Sequence, residues 1–166
     1  MKLTQELLKK HLIYNCLTGL WKWRTPEKNR PSGILGYPDS KGYIRFMIFG
    51  RTYSSHRLAW FYVYGEWPKG ELDHKDGNPK NNRIRNLRLA DRHTNMANQK
   101  IRCDNTTGYK GVSKWLDRKR NKLYYQAKIT YAGKSIFLGS FPTPKLAHKV
   151  YRKAARRLNK EFARFN

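Results

Sequence analysis

The sequence is poor in cysteine, in acid and in long apolar runs. Cys16 and Cys103 stand alone and far apart in a chain of 166 residues. Without a CxxC pair a zinc knuckle or other structural zinc is excluded, and without a disulfide framework a reducing compartment fits best. No apolar stretch approaches the ~20 residues of a membrane span, and Met1-Lys2-Leu3-Thr4-Gln5-Glu6 carries no signal-peptide core, so a cytoplasmic protein is expected. There is no internal repeat and no low-complexity tract.

What is present is basic charge. Lys and Arg number 36 against 11 Asp and Glu, a formal net charge of +25, and both halves of the chain share the excess. That exceeds what solubility needs and points to a polyanion lying along the whole molecule. Hydrophobic residues at 39% and aromatics at 14% allow packed cores and exclude a disordered tail. A membrane surface is the weaker partner, because no helix pairs a basic face with a bulky apolar one.

Read for periodicity, residues 4–15 predict a short helix capped by Thr4, with Leu7, Leu8, His11 and Leu12 on one face. Thr18-Gly19 ends it, and Leu20-Trp21-Lys22-Trp23 reads as a strand. Residues 25–36 read as a loop rich in Pro, Gly and charge. A strand over 42–49, a turn at Gly50-Arg51 and a strand over 52–55 make a hairpin. A helix over 56–64 follows, with Leu58, Ala59, Tyr62 and Val63 as its apolar stripe. Residues 70–74 are short and extended, 75–85 a polar loop, 86–90 a second short strand, and 92–99 a helix capped by Asp91. After a polar linker at 101–107, strands are expected over 109–115, 124–131 and 135–141. A final helix, capped by Thr143 with Pro144 in its first turn, has an apolar stripe of Leu146, Ala147, Val150, Tyr151, Ala154, Ala155 and Leu158.

The strand–loop–strand–helix stretch concentrates the chemistry. It reads Leu72-Asp73-His74-Lys75-Asp76-Gly77-Asn78, then Asn81-Asn82, Asn86-Leu87 and Asn95. Hydrolysing a phosphodiester requires a base for water, a counter-charge for the phosphate and stabilisation of the leaving 3′ oxygen. His74 is the candidate base. Asp73 offers one oxygen to a cation, and Asn95 on the following helix can offer a second, a donor pair that suits Mg²⁺ or Mn²⁺ better than zinc. Neighbours on a strand point to opposite faces, so the strand must end or bend here for both to serve one site. Asn86 can bridge the loop by hydrogen bonds behind His74. Asp76-Gly77 and Asn78-Pro79 are also ordinary turn sequences, so the functional reading rests on the spacing of the set.

At these residues the sequence resembles the HNH endonucleases of the ββα-metal (His-Me finger) group, nearest to phage and intron-encoded homing enzymes. The resemblance runs through His56-Arg57-Leu58-Ala59, Asp73-His74-Lys75-Asp76-Gly77-Asn78, Asn81-Asn82-Arg83, Asn86-Leu87-Arg88, Asn95 and Asn98, and covers roughly residues 1–100. It implies His74 as general base, Asn86 as the brace of the catalytic loop, and one divalent ion held by Asp73 and Asn95. The family's last His is here Asn95. His93, about 200° away around the helix, is the rival, and only one of them can face the ion.

The last sixty residues look like an Apetala-two type DNA-binding domain. Gly108-Tyr109-Lys110-Gly111-Val112, Tyr125-Gln126-Ala127-Lys128-Ile129, Phe137-Leu138-Gly139-Ser140-Phe141, the alanine-bearing helix and a tail of Leu158-Asn159, Ala163 and Asn166 carry the likeness. In that family the sheet lies in the major groove with the helix behind it, a geometry the groove admits. The implied DNA face is Lys110, Ser113, Trp115, Gln126, Lys128, Thr130, Ser135 and Phe137, with Arg118, Lys119 and Arg120 at a turn. Ser113 and Ser135 stand where Arg is usual and Phe137 where Trp is usual, so a plant target site does not transfer.

The expected protein is thus α+β. A nuclease domain occupies residues 1–100, its ββα-metal core about 70–100, and a linker over 101–107 leads to a DNA-binding domain at 108–166. The expected activity is metal-dependent cutting of double-stranded DNA, as a nick or a double-strand break, by a phage-encoded enzyme in a bacterial cytoplasm. It would act as a monomer on DNA, with a dimer as the alternative. The rival class is a DNA-binding regulator whose nuclease part is inert.

Overall fold

The computed structural model describes residues 2–25 and 33–165, with the backbone alone for Arg92 and His93. Residues 26–32 of the expected Pro- and Gly-rich loop, the Asn166 tail and the His93 side chain lie outside the described residues. The chain divides into two compact units, Met1–Ala90 and Asp91–Asn166.

In the first unit Thr4 caps helix α1 (Gln5–His11), accepting from the Leu7 amide at 3.2 Å. The helix is shorter than its periodicity predicts. From Leu12 the chain becomes strand β1 (Leu12–Asn15), antiparallel to β2 (Leu20–Trp23). The reason is tertiary. Tyr14 pairs with Trp21, their rings 4.8 Å apart, and burying that indole to 1% exposure outweighs further helical turns.

Strands β3 (Tyr37–Pro38), β4 (Ile44–Ile48) and β5 (Arg51–Ser54) form an antiparallel sheet in that order. The hairpin turn is Phe49-Gly50, one residue earlier than the sequence suggests. Both residues have positive φ, 48° and 74°, as a two-residue turn matched to strand twist demands. Helix α2 (Ser55–Tyr64) follows at once and ends at left-handed Gly65. Its buried face is Leu58, Ala59 and Phe61, because Phe61 stacks on Trp67 at 4.4 Å; Val63 is exposed instead.

Strand β6 (Glu71–His74) pairs antiparallel with β7 (Leu87–Ala90), and a 3-10 turn at Ile84–Asn86 closes the loop between them. Leu87, opposite His74, joins the core built on Leu8, Leu12, Trp21, Ile48 and Leu58, which anchors the pair.

The second unit begins with α3 (Arg92–Ala97), two residues shorter than expected. It is held by a reciprocal cap: the Thr94 amide donates to Asp91 Oδ1 at 2.7 Å and the Asp91 amide to Thr94 Oγ1 at 3.0 Å. Strands β8 (Val112–Asp117), β9 (Lys122–Tyr131) and β10 (Lys134–Phe141) make an antiparallel sheet with β9 central. Helix α4 (Pro144–Asn159) packs on one face through Ala147, Tyr151 and Ala155, against Val112, Ala127 and Ile129. Leu146, placed in the stripe by sequence, is exposed. Strand β8 starts at Val112 because Gly111, at φ +73°, lies so close to Tyr151 that a Cβ there would stand 2.1 Å from its ring. Mixed helix and strand, ending in a three-stranded sheet on one helix, agrees with the α+β expectation. Among the described residues no helix is long and apolar enough to cross a membrane.

Candidate active site and nucleic-acid interface

His74 is the last residue of β6 and is only 4% exposed. Its Nε2 lies 3.3 Å from Asn82 Oδ1. With Nε2–H donating to that oxygen, Nδ1 is the basic nitrogen of the neutral ring. Burial pulls the imidazole pKa below its ordinary value, against the opposing pull of the Asn82 bond and of the Asp76 and Asp73 charges. A neutral imidazole at pH 7 is the form a general base requires.

Asn82 is itself placed by the first hairpin. The Tyr14 hydroxyl donates to Asn82 O at 2.6 Å. Gly19, at φ +75°, approaches the 82–83 backbone so closely that a Cβ would meet Arg83 N at 2.5 Å. The ring of His74 also meets Tyr43 at 5.8 Å and His56 at 5.3 Å. His56, in the first turn of α2, is driven to a pKa of about 3 by burial and then by the charge of His74. The neighbouring Arg57 ties α2 to the entry of β6, donating to Gly70 O at 3.3 Å and Pro68 O at 3.4 Å.

The loop after His74 is closed by amides. The Asn86 carboxamide accepts from the Asp76 amide at 3.2 Å, and its nitrogen donates to Asp76 Oδ1 at 3.0 Å and to Asn81 O at 2.8 Å. Asn81 donates to Asp76 Oδ2 at 2.6 Å, and the Asn78 amide to Asp76 Oδ1 at 2.8 Å. Burial alone would raise the Asp76 pKa; these donors outweigh it and hold the carboxyl below its usual range. Gly77, at φ +64°, closes the turn by donating to His74 O at 2.7 Å.

Asp73 has different neighbours from His74, as strand alternation requires. Across the ladder it faces Arg88, whose Nε donates to Oδ2 at 2.9 Å, with Nη2 at 2.8 Å. The Asp73 side chain is buried and that of Arg88 largely so. Among the described residues no three His, Cys, Asp or Glu side chains converge as a metal cluster. The oxygen donors nominated by sequence, the Asp73 carboxylate and the Asn95 carboxamide, are the hard ligands that Mg²⁺ or Mn²⁺ prefers, so the donor chemistry fits. Arg88 already supplies one positive charge to Asp73. Asn95 stands on α3, in the second unit.

On the sheet of the second unit, cross-strand register puts one set of side chains opposite α4. Ser113, Gln126 and Ser140 are aligned, Trp115 is opposite Tyr124, Phe137 opposite Lys128, and Ser135 opposite Thr130. Trp115 is 42% and Phe137 57% exposed, so neither belongs to the core. Arg118, Lys119 and Arg120 lie in the β8–β9 turn, where Asp117 accepts from the Lys119 and Arg120 amides. Lys110 departs from this face. Its ammonium donates to Ala97 O at 2.7 Å and Gln99 O at 2.6 Å, and so is turned to the protein rather than to a ligand.

Sequence reasoning left Tyr43 without a role and gave Arg88, His56 and Asn82 none beyond their places in the motif. Beyond the motif, the signal for Arg88 was its register, fifteen residues on and opposite Asp73 once the two strands pair.

Comparison with known proteins bears on both the motif and the chain. Residues 53–97 match the family model of the HNH endonucleases. Over 111 residues, 66% of this chain and 88% of the relative, the sequence is 36% identical to protein 3.8 of Escherichia phage T7. No solved structure matches.

Proposed function

Because the chain belongs to the family of phage T7 protein 3.8 and carries an HNH endonuclease domain at residues 53–97, we propose that it is a DNA endonuclease of phage or mobile-element origin that acts at chosen sites in the manner of homing enzymes. In this reading residues 1–100 form the nuclease, with a ββα-metal core at about 70–100. Residues 101–107 link it to an Apetala-two type DNA-binding domain at 108–166. It works in the bacterial cytoplasm, as a monomer on double-stranded DNA.

The observation that carries the reading is His74: a buried, neutral imidazole at the end of β6, next to a carboxylate, inside the matched domain and on a strongly basic chain. His74 takes the proton from the attacking water. Asn86 holds the loop through Asp76 and Asn81, which keeps the backbone behind His74 in place. Asp73 and Asn95 would be the residues that hold one divalent ion. When bound, that ion supplies Lewis-acid stabilisation to the phosphate and the leaving 3′ oxygen. The products are a 5′ phosphate and a 3′ hydroxyl. Ser113, Trp115, Gln126, Lys128 and Phe137 meet DNA on the sheet face, with Arg118, Lys119 and Arg120 on phosphates.

A second reading is favoured by the Asp73–Arg88 pair. A guanidinium that already neutralises the carboxylate does part of an ion's work, as in a DNA-binding regulator with an inert nuclease domain. Incubation with plasmid DNA in Mg²⁺, Mn²⁺ or EDTA separates the two. The nuclease reading expects metal-dependent cutting that His74→Ala slows by about 10²–10⁴-fold while binding is retained. Tight binding with no cutting in either metal establishes the regulator.

A further inference from the structure

Helix α3 belongs to two things at once. By sequence it closes the HNH match, which runs to residue 97. By contacts it falls in the unit Asp91–Asn166, with the three-stranded sheet and α4. Lys110 is the side chain that makes the second membership physical.

At the end of α3 the Asn98 amide donates to Thr94 O and the Gln99 amide to Met96 O, and a cation is the favoured group at the carbonyl end of a helix. The Lys110 ammonium donates to the carbonyl of Ala97, the last residue of α3, and to that of Gln99 just beyond. The backbone of Lys110 is equally fixed. Its carbonyl accepts from His148 Nδ1 on α4 at 3.1 Å, and the next carbonyl, of Gly111, accepts from the Lys128 amide on β9 at 2.9 Å. Asn105 Nδ2 holds the Tyr109 carbonyl at 3.1 Å. One lysine thus joins the end of α3 to both layers of the module. With both of its donations made to backbone carbonyls the Lys110 ammonium is turned inward, whereas Lys114 and Lys128 are exposed; burial and then the Arg164 charge push the Lys110 pKa down to about 8.

We propose that Lys110 is a positioning residue. It fastens α3, and with it Asn95, to the DNA-holding module, so that this module governs the Asn95 contribution to the ion site. This rests on the nuclease reading for the role of Asn95. The fastening itself does not depend on that reading.

The test uses the full chain with Lys110→Met and Lys110→Arg. Amide exchange over residues 95–100 is expected to quicken about tenfold in Lys110→Met, as two charged hydrogen bonds are lost, while β9 and α4 keep their protection. Lys110→Arg restores it. Affinity for a plasmid fragment and its salt dependence stay within about twofold, whereas Mn²⁺ affinity and cutting per bound complex both fall. Unchanged exchange at 95–100 overturns the proposal. So does a salt slope reduced by about one with cutting per bound complex intact, which marks Lys110 as a phosphate contact. Exchange needs neither metal nor DNA. A wild-type protein that cuts nothing therefore refutes the nuclease reading and still leaves the fastening decided.

Discussion

The Arg88 guanidinium lies against the Asp73 carboxylate across the β6–β7 ladder, Nη2 at 2.8 Å and Nε at 2.9 Å from the same oxygen, with Asp73 buried and Arg88 largely so. Taking one partner from a buried pair leaves an uncompensated charge, which costs more than the pair itself contributes. Arg88→Met should therefore destabilise the protein by about 3–5 kcal/mol in urea unfolding with EDTA present. If Asp73 binds a divalent ion, Mg²⁺ or Mn²⁺ at millimolar concentration recovers part of that loss by mass action. Identical unfolding curves with and without metal remove Asp73 from the ion site.

Asn86 makes three hydrogen bonds within the loop, two to Asp76 and one to Asn81. Asn86→Ala takes the partner from the Asp76 amide and the Asn81 carbonyl in this part-buried loop, at about 1–3 kcal/mol. Asn86→Asp keeps the shape but sets a carboxylate against that of Asp76, and is expected to be worse than alanine at pH 7. Thermal unfolding of the two variants at pH 7 and pH 4 checks the order. An aspartate variant as stable as wild type at neutral pH contradicts the assigned contacts.

His56 has a folded pKa of about 3 against an unfolded value near 6.5. Between these values the unfolded chain binds a proton that the folded site refuses, so stability falls as pH falls. The His56 contribution is fully present above about pH 6.5 and declines by at most ~1.4 kcal/mol per pH unit below it. His74, also depressed, adds a slope of the same sign. His56→Phe should flatten the stability profile between pH 6.5 and 4.5; an unchanged slope means that His56 is protonated in the fold.

The sheet face gives a test of charge against stacking. With six to ten phosphate contacts, DNA affinity should fall by roughly 10³–10⁵ between 50 and 200 mM salt, and Lys128→Ala should lower that slope by about one. Phe137, exposed and opposite Lys128, should be removable as Phe137→Ala with little change in melting temperature and a clear loss of DNA binding. A drop in melting temperature with binding intact makes it a packing residue.

Several features could be read from residues in order, because local physics dictates them. Asp91 and Thr94 announce the start of α3, Thr143 and Pro144 the start of α4, and the alternation of Tyr125, Ala127 and Ile129 the buried face of β9. The run Asp73-His74 and the amides after it carried the resemblance to the HNH endonucleases, whose family model matches residues 53–97. What local order could not reach depends on distant partners. Residues 12–15 became a strand because Trp21 needed Tyr14, and Asn82 meets His74 because Tyr14 and Gly19 pin its backbone. Arg88 reaches Asp73 only when two strands adopt one register, and Lys110 turned away from the sheet face because the end of α3 offered it two carbonyls. The sequence by itself determined which functional groups are available and on which elements. The tertiary structure decided which charge each one meets, because buried charges and open helix ends take whatever partner the packing brings within about 3 Å.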